Sequence, residues 1–373
     1  MKTSSTRILT THTGSIARPP GLVSLLDEQT KGTVDQDDFD RVTRKAVQHV
    51  VKQQTDAGIS IINDGEQGKR SFSTYVLQRL AGFGDEESVP MPLTLDEREF
   101  PNWGYRHRLL VPCVGPIIWR DFSAVEKDIT NLKDASATAP REDVFMTSAS
   151  PGTIANFFPN QYYGRREDYL QALAEAMRRE YRAIVDAGFI LQVDCPDLAL
   201  RNFWFPDTTI EEFRSVVAGN VEALNHALSG IPASSVRLHL CWGAGETPKL
   251  FDVPLASIID VVLKANVGAI SFVGANGRHE HEWRIWGELE LPDGMVLIPG
   301  VIDNSTNIVE HPEWVAERIM RYAGVVGKER VIAGVDCGFA TGSSLRPGVD
   351  PLVAISKLKA LTEGAQIASK QLW

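Results

Sequence analysis

The chain has 373 residues, 43% hydrophobic and 23% charged, with a formal net charge of −10. That composition supports a large globular core, and an acidic balance without any Lys/Arg stripe argues against a nucleic-acid partner. Met1–Arg18 lacks the apolar core of a secretory signal and no run of 18 apolar residues could span a bilayer, so the expectation is a cytoplasmic protein whose four cysteines stay reduced.

Short apolar runs alternate with amphipathic helical stretches along the chain, which is the pattern of repeated βα units. Arg7–Ser15 is the first strand. A helix over Asp38–Ala57 leads into the second, Gly58–Glu66. Val144–Ser150 follows as the third, and helices at Glu167–Ala187 and Ile210–Leu228 bracket the fourth, Phe189–Pro196. Val236–Gly243 is the fifth, and a helix over Pro254–Ala265 precedes the sixth, Ala269–Gly274. Met295–Asp303, a helix over Pro312–Ala323, Arg330–Cys337 and a last helix over Pro351–Ala368 complete the series. Prolines 254, 312 and 351 suit the first turn of their helices. A short repeat, Asp56-Ala57-Gly58 and Asp186-Ala187-Gly188, marks two helix-to-strand junctions.

Eight strands in this alternation predict a single (β/α)8 TIM barrel over residues 1–373. About 75 residues separate the second and third strands, longer than an ordinary connection. The segment at about 70–140, with Glu86–Arg108 rich in proline and charge, is read as an insertion over the barrel mouth or as a surface loop.

The polar residues fall at the carboxyl ends of the strands, where barrel enzymes place their chemistry: Ser15, Glu66, Ser150, Asp194, His239 with Cys241, Asp303 and Cys337. His239 and Cys241 are two apart, so the pleat turns both to one side. Barrel closure would bring Cys337 to them. One imidazole and two thiolates suit zinc, and three protein ligands leave a position open for catalysis. Cys195 should point away from the neighbouring Asp194 and is read, with Cys113, as structural. The stretch Arg278-His279-Glu280-His281-Glu282 looks metal-like but reads as a solvated charged loop, its histidines held in reserve as ligands.

At these residues the chain resembles the catalytic barrel of cobalamin-independent methionine synthase and its shorter single-barrel relatives, among them epoxyalkane:coenzyme M transferase. The resemblance runs through Thr13-Gly14-Ser15, Asp64-Gly65-Glu66, Thr153-Ile154-Ala155-Asn156-Phe157, Gln192-Val193-Asp194, His239-Leu240-Cys241, Pro299-Gly300-Val301-Ile302-Asp303 and Asp336-Cys337-Gly338. It covers nearly the whole chain and corresponds to the catalytic barrel alone, without the N-terminal barrel of longer methionine synthases.

The resemblance implies a zinc-dependent transferase that moves a methyl group from a methyltetrahydrofolate-type donor to homocysteine. It carries the Zn2+ ligands onto His239, Cys241 and Cys337, the homocysteine amino-acid contacts onto Ser15, Glu66 and Asp194, and the aromatic packed against the folate ring onto Phe157, where methionine synthases have Trp. Two positions depart from it. Val273 stands where the family has a fourth zinc ligand, Glu, so the ion takes three ligands plus an exchangeable one, or Glu246 or Glu280 substitutes, or zinc affinity is lost. Ser305 stands where the family has a His that aids proton delivery.

An acid must protonate the departing group, and Asp303 or a water it orients is the candidate. Alkylation of a thiol by an epoxide-type donor is the nearest alternative. The same ligands could instead activate water in a hydrolase or lyase, or belong to a degenerate binding protein.

Overall fold

Parallel strands covered on both faces need near-continuous apolar runs, and the chain supplies them at eight places. The computed structural model describes residues 1–84, 88–103 and 108–373, so the Glu86–Arg108 segment lies partly outside it. The strands are β1 (Leu9–Thr10), β2 (Ile61–Ile62), β3 (Asp143–Ala149), β4 (Ile190–Asp194), β5 (Val236–Leu240), β6 (Ala269–Phe272), β7 (Val296–Ile302) and β8 (Ile332–Val335). They pair in parallel in the order β1-β8-β7-β6-β5-β4-β3-β2. A parallel bridge between Thr11 and Ile61 joins the two ends and closes the barrel.

Period-2 alternation sorts the strand residues into two cores. Leu9, Ile61, Phe145, Ile190, Ala269, Val296, Ile298 and Ile332 pack together inside the barrel, while their neighbours join a larger apolar shell beneath the helices. Above the inner core lies a polar layer. The buried Arg237 guanidinium sits 3.5 Å over the Phe145 ring and donates to Gln192 Oε1 (2.8 Å), Thr11 Oγ1 (3.0 Å) and His12 O (2.9 Å). Burial pulls its pKa down to about 9. This layer is the floor on which the strand-end residues stand.

The helices start where the local chemistry allows. Asp35 caps Gln36–Asp56, Thr209 and Glu212 form a capping box on Ile210–Ala227, and proline occupies the first turn of Pro312–Val326 and Pro351–Leu372. The Asp-Ala-Gly repeat is real: both helices end at its Asp, and Gly58 (φ 80°) and Gly188 (φ 87°) make the same left-handed turn into the next strand.

The expected helix at Pro254–Ala265 shrinks to a turn at Leu255–Ser257 and the four-residue helix Ile259–Val262. Its β-branched run, Ile258, Ile259, Val261 and Val262, is stiff in a helix and is buried for packing. Two further helices lie outside the expected series: Pro20–Lys31, which also begins on a proline, and Ser123–Ser136, which has no capping side chain.

Between β2 and β3 the chain leaves the barrel. Leu80–Phe83 pairs antiparallel with Cys113–Trp119, Val89–Pro90 pairs with Leu109–Leu110, and Thr94 and Glu97 cap the short helix Leu95–Glu99. Ser123–Ser136 brings the chain back. No helix among the described residues is long and apolar enough to cross a membrane.

Candidate metal centre

At the carboxyl end of β5 the pleat turns His239 and Cys241 the same way, and barrel closure sets Cys337, just past β8, opposite them. The ligand atoms of the three all lie within 4.8 Å of one another, and all three residues are buried. Cys241 Sγ and Cys337 Sγ are 3.3 Å apart. The hydrogen bond it shares with Cys337 holds the Cys241 thiol well below the usual range, and the same bond, with burial, pushes Cys337 well above it. Two sulfurs that divide their protons unevenly are one step from a dithiolate that a cation would complete.

His239 supplies the sharper observation. Its Nδ1 faces Ser271 Oγ at 3.3 Å, while Nε2 is buried with no hydrogen-bond partner. An orphaned buried ring nitrogen is uncommon, because it forfeits its hydration. With a proton on Nδ1, the Nε2 lone pair is free beside two sulfurs, which fits a borderline-soft cation such as zinc. Val273 is buried and offers no ligand. Glu280 is taken by Arg318 and Arg321, whereas Glu246 lines the adjoining cavity without joining the ligand cluster.

That cavity, of about 680 Å3, opens above the three ligands. Its inner wall carries Ser15, Glu66 and Asp194. Glu66 sits at φ 56°, a left-handed conformation costly for a non-glycine residue and typical of functional positions. Gly14 makes room for it: a Cβ there would lie 3.0 Å from Glu66 Oε1 and 2.8 Å from Thr147 Cγ2.

Oε1 of Glu66 accepts from Thr147 Oγ1 (3.0 Å), and Oε2 is buried without a hydrogen bond, its nearest cation being Arg18 at 3.8 Å. Burial raises the Glu66 pKa against the pull of Lys69 and Arg18. Burial likewise pushes Asp194 up to about 7, with the Glu66 charge adding to the shift. Asp194 Oδ1 accepts from Gln192 Nε2 (2.7 Å), which ties it through Gln192 to Arg237. Two buried carboxyl groups thus face one cavity, and Glu66 Oε2 among them has no hydrogen-bond partner.

Phe157 closes one side of the cavity, held edge-on by Phe72 (5.9 Å) and Trp204 (4.9 Å). Ser15 packs against Gly338, where a Cβ would stand 2.0 Å from Ser15 Oγ. Two strand-end residues do not join this group. Ser150 caps Pro151–Phe157 and donates to Asp197 (2.6 Å). Asp303 is not among the residues lining the cavity; its Oδ1 accepts from Ser305 N (2.8 Å) and Oγ (2.7 Å). Cys195 and Cys113 are buried outside the cluster, Cys195 because alternation turns it away from Asp194 and Cys113 because it lies in the excursion between β2 and β3.

The outer wall comes from the excursion between β2 and β3, with Met91, Pro92, Asp96, Glu97 and Trp103 facing the cavity. Nothing in the sequence marked Asp96, which fastens this wall: Oδ2 accepts from Asn202 Nδ2 (2.8 Å) and Oδ1 from Leu250 N (3.0 Å), while Leu95 N donates to Asn202 Oδ1 (2.7 Å). Asp96→Ala should therefore loosen the segment by about 2 kcal/mol, the cost of stripping buried donors of a charged acceptor. Hydrogen exchange should accelerate across residues 88–103 while the barrel strands keep their protection.

Fold and site together define a barrel protein with a buried His/Cys/Cys centre beneath a half-polar cavity. No family model matches the chain. Methionine synthase of Saccharolobus solfataricus is 25% identical over 97% of this chain and 95% of its own length, and that of Thermococcus kodakarensis is 24% identical over 96% and 93%. Among solved structures, a B12-independent methionine synthase from Shewanella sp. W3-18-1, in complex with selenomethionine, superposes with a TM-score of 0.77 at 21% identity, covering 98% of this chain and 99% of that one. Over nearly its whole length the chain is similar in sequence to these methionine synthases, and it shares the barrel fold of the B12-independent one.

Proposed function

We propose that this protein is a zinc-dependent transferase that places a methyl or other alkyl group on a small thiol, with homocysteine the leading acceptor. The partnerless Nε2 of His239 beside two close sulfurs, at the base of a cavity with two buried carboxylates, carries the reading. The names of the relatives support it.

His239, Cys241 and Cys337 would hold the ion. When bound, zinc supplies a thiolate at neutral pH, where a free thiol near pKa 8.5 is only a few per cent ionised. Glu66 and Asp194 bind and orient the acceptor's ammonium, Ser15 lies beside them, and Phe157 offers an apolar face to the donor. In the transfer the sulfur forms a bond to the donor carbon as the donor's carbon–nitrogen bond breaks. The departing nitrogen takes a proton, for which Asp303 is the proposed source through a water. Asp303→Asn with full activity would remove it from that role.

A second reading keeps the thiol chemistry and changes the donor. Ser305, which engages the Asp303 carboxylate, and Phe157, smaller than Trp, favour an epoxide-type donor, whose carbon–oxygen bond breaks instead. Metal analysis with X-ray absorption at the zinc edge, before and after adding homocysteine, tests the common core: one more sulfur should join the ion. Zinc unchanged by the thiol, or turnover without any thiol, would point to water activation instead. Product analysis with methyltetrahydrofolate and with an epoxide separates the two donors.

A further inference from the structure

The stretch Arg278-His279-Glu280-His281-Glu282, expected to be a solvated loop, is in part buried, and the proposed chemistry leaves it unused. It enters the 3-10 helix Glu280–Gly287, with His279 3% exposed. His279 Nδ1 lies 2.9 Å from Glu282 Oε2 and Nε2 lies 3.1 Å from Asp252 Oδ2. A ring between two carboxylates donates from both nitrogens and carries a positive charge. That ring lies against the indole of Trp242, centroids 4.5 Å apart.

Asp252 also faces the ammonium of Lys249 at 3.9 Å. Lys249 is 5% exposed and stands at φ 54°. A buried lysine in left-handed backbone is costly on both counts and persists only where its surroundings impose it. Here the imposed contacts are two successive carbonyls: Lys249 Nζ donates to Trp242 O (3.0 Å) and Gly243 O (3.1 Å). Trp242 and Gly243 directly follow Cys241. The turn so held aims Gly243 N–H at Cys241 Sγ, 3.2 Å away. On the next residue, Leu250 N is fixed by Asp96.

We propose that Lys249, anchored by the Asp252–His279–Glu282 group, is a positioning residue for Cys241: it holds the turn whose Gly243 N–H binds the sulfur. This rests on the reading of His239, Cys241 and Cys337 as a metal site. The hydrogen bond fixes the direction of the sulfur and draws electron density from it, so the Lys249 turn sets both ligand geometry and the donor strength of the thiolate.

Cobalt(II) substitution tests this in the full-length protein, with affinity read by chelator competition and sulfur electron density read by the thiolate-to-cobalt charge-transfer band. Lys249→Met should weaken cobalt binding by about 10- to 100-fold, the usual effect of removing an outer-sphere partner. The band should move to lower energy as the sulfur loses its hydrogen bond, and Lys249→Arg should restore part of both. Asp252→Asn, which keeps the lysine, should shift the band the same way by less, and it carries the test if Lys249→Met does not fold. Unchanged affinity and band in these variants, beside a normal wild-type band, would overturn the role of Lys249 and leave the metal site standing. A wild-type protein without any cobalt–thiolate band would overturn the metal reading itself.

Discussion

His239→Ala is expected to lower bound zinc to below about a tenth of an equivalent per chain and to slow thiol alkylation at pH 7 on the order of a thousandfold. About thirtyfold of that follows from ionisation alone, because a thiol near pKa 8.5 returns to a few per cent thiolate once nothing holds it deprotonated. The remainder is lost orientation of the sulfur toward the donor carbon. Among its neighbours, Val273 is apolar, Ser271 is a neutral hydroxyl and Glu280 is committed to two arginines. Metal analysis and single-turnover kinetics across pH check both parts. The variant's rate should recover above pH 8.5, where the free thiol ionises unaided, and a pH-independent deficit would contradict the ionisation share.

Glu66→Gln and Asp194→Asn are each expected to cut kcat/KM for homocysteine by about 10- to 100-fold, the value of one charge-assisted hydrogen bond in a buried site. The loss should fall mainly in KM, since the ammonium is held alike before and during the transfer. A thiol of similar size without an amine is the discriminating substrate. Neither variant should impair it, and each should narrow the gap between the two thiols. Equal losses on both thiols would mean that the carboxylates support the site's structure and do not seat a cation. Both substitutions keep the shape of the side chain and remove only its charge.

The barrel was legible because the strands are apolar runs, seven of the eight ending in a polar residue, and because His239 and Cys241 share a pleat face. Cys337 could join them only through closure, which the count of eight strands already required. Ser15, Glu66 and Asp194 meet at the cavity for the same reason. Other features left no trace in the residue pattern. Ser150 looks like its rim neighbours but belongs to a helix cap, a difference set by the Pro151 that follows. The His279 stretch has the composition of a solvated loop, and its burial depends on Asp252 and Lys249 meeting it from another connection. Lys249 and Asp96 have ordinary sequence surroundings, and their importance arises from backbone groups that only the folded chain brings to them.

The base proposed to hold the thiol is built from strand ends scattered over the whole chain, whereas much of the outer wall comes from one excursion pinned at Asp96 to two barrel loops. Inheritance can therefore act on the halves separately. A new segment spliced between β2 and β3 would present another co-substrate to an unaltered nucleophile, and lineages of this architecture would diverge in what they transfer long before they diverge in what receives it.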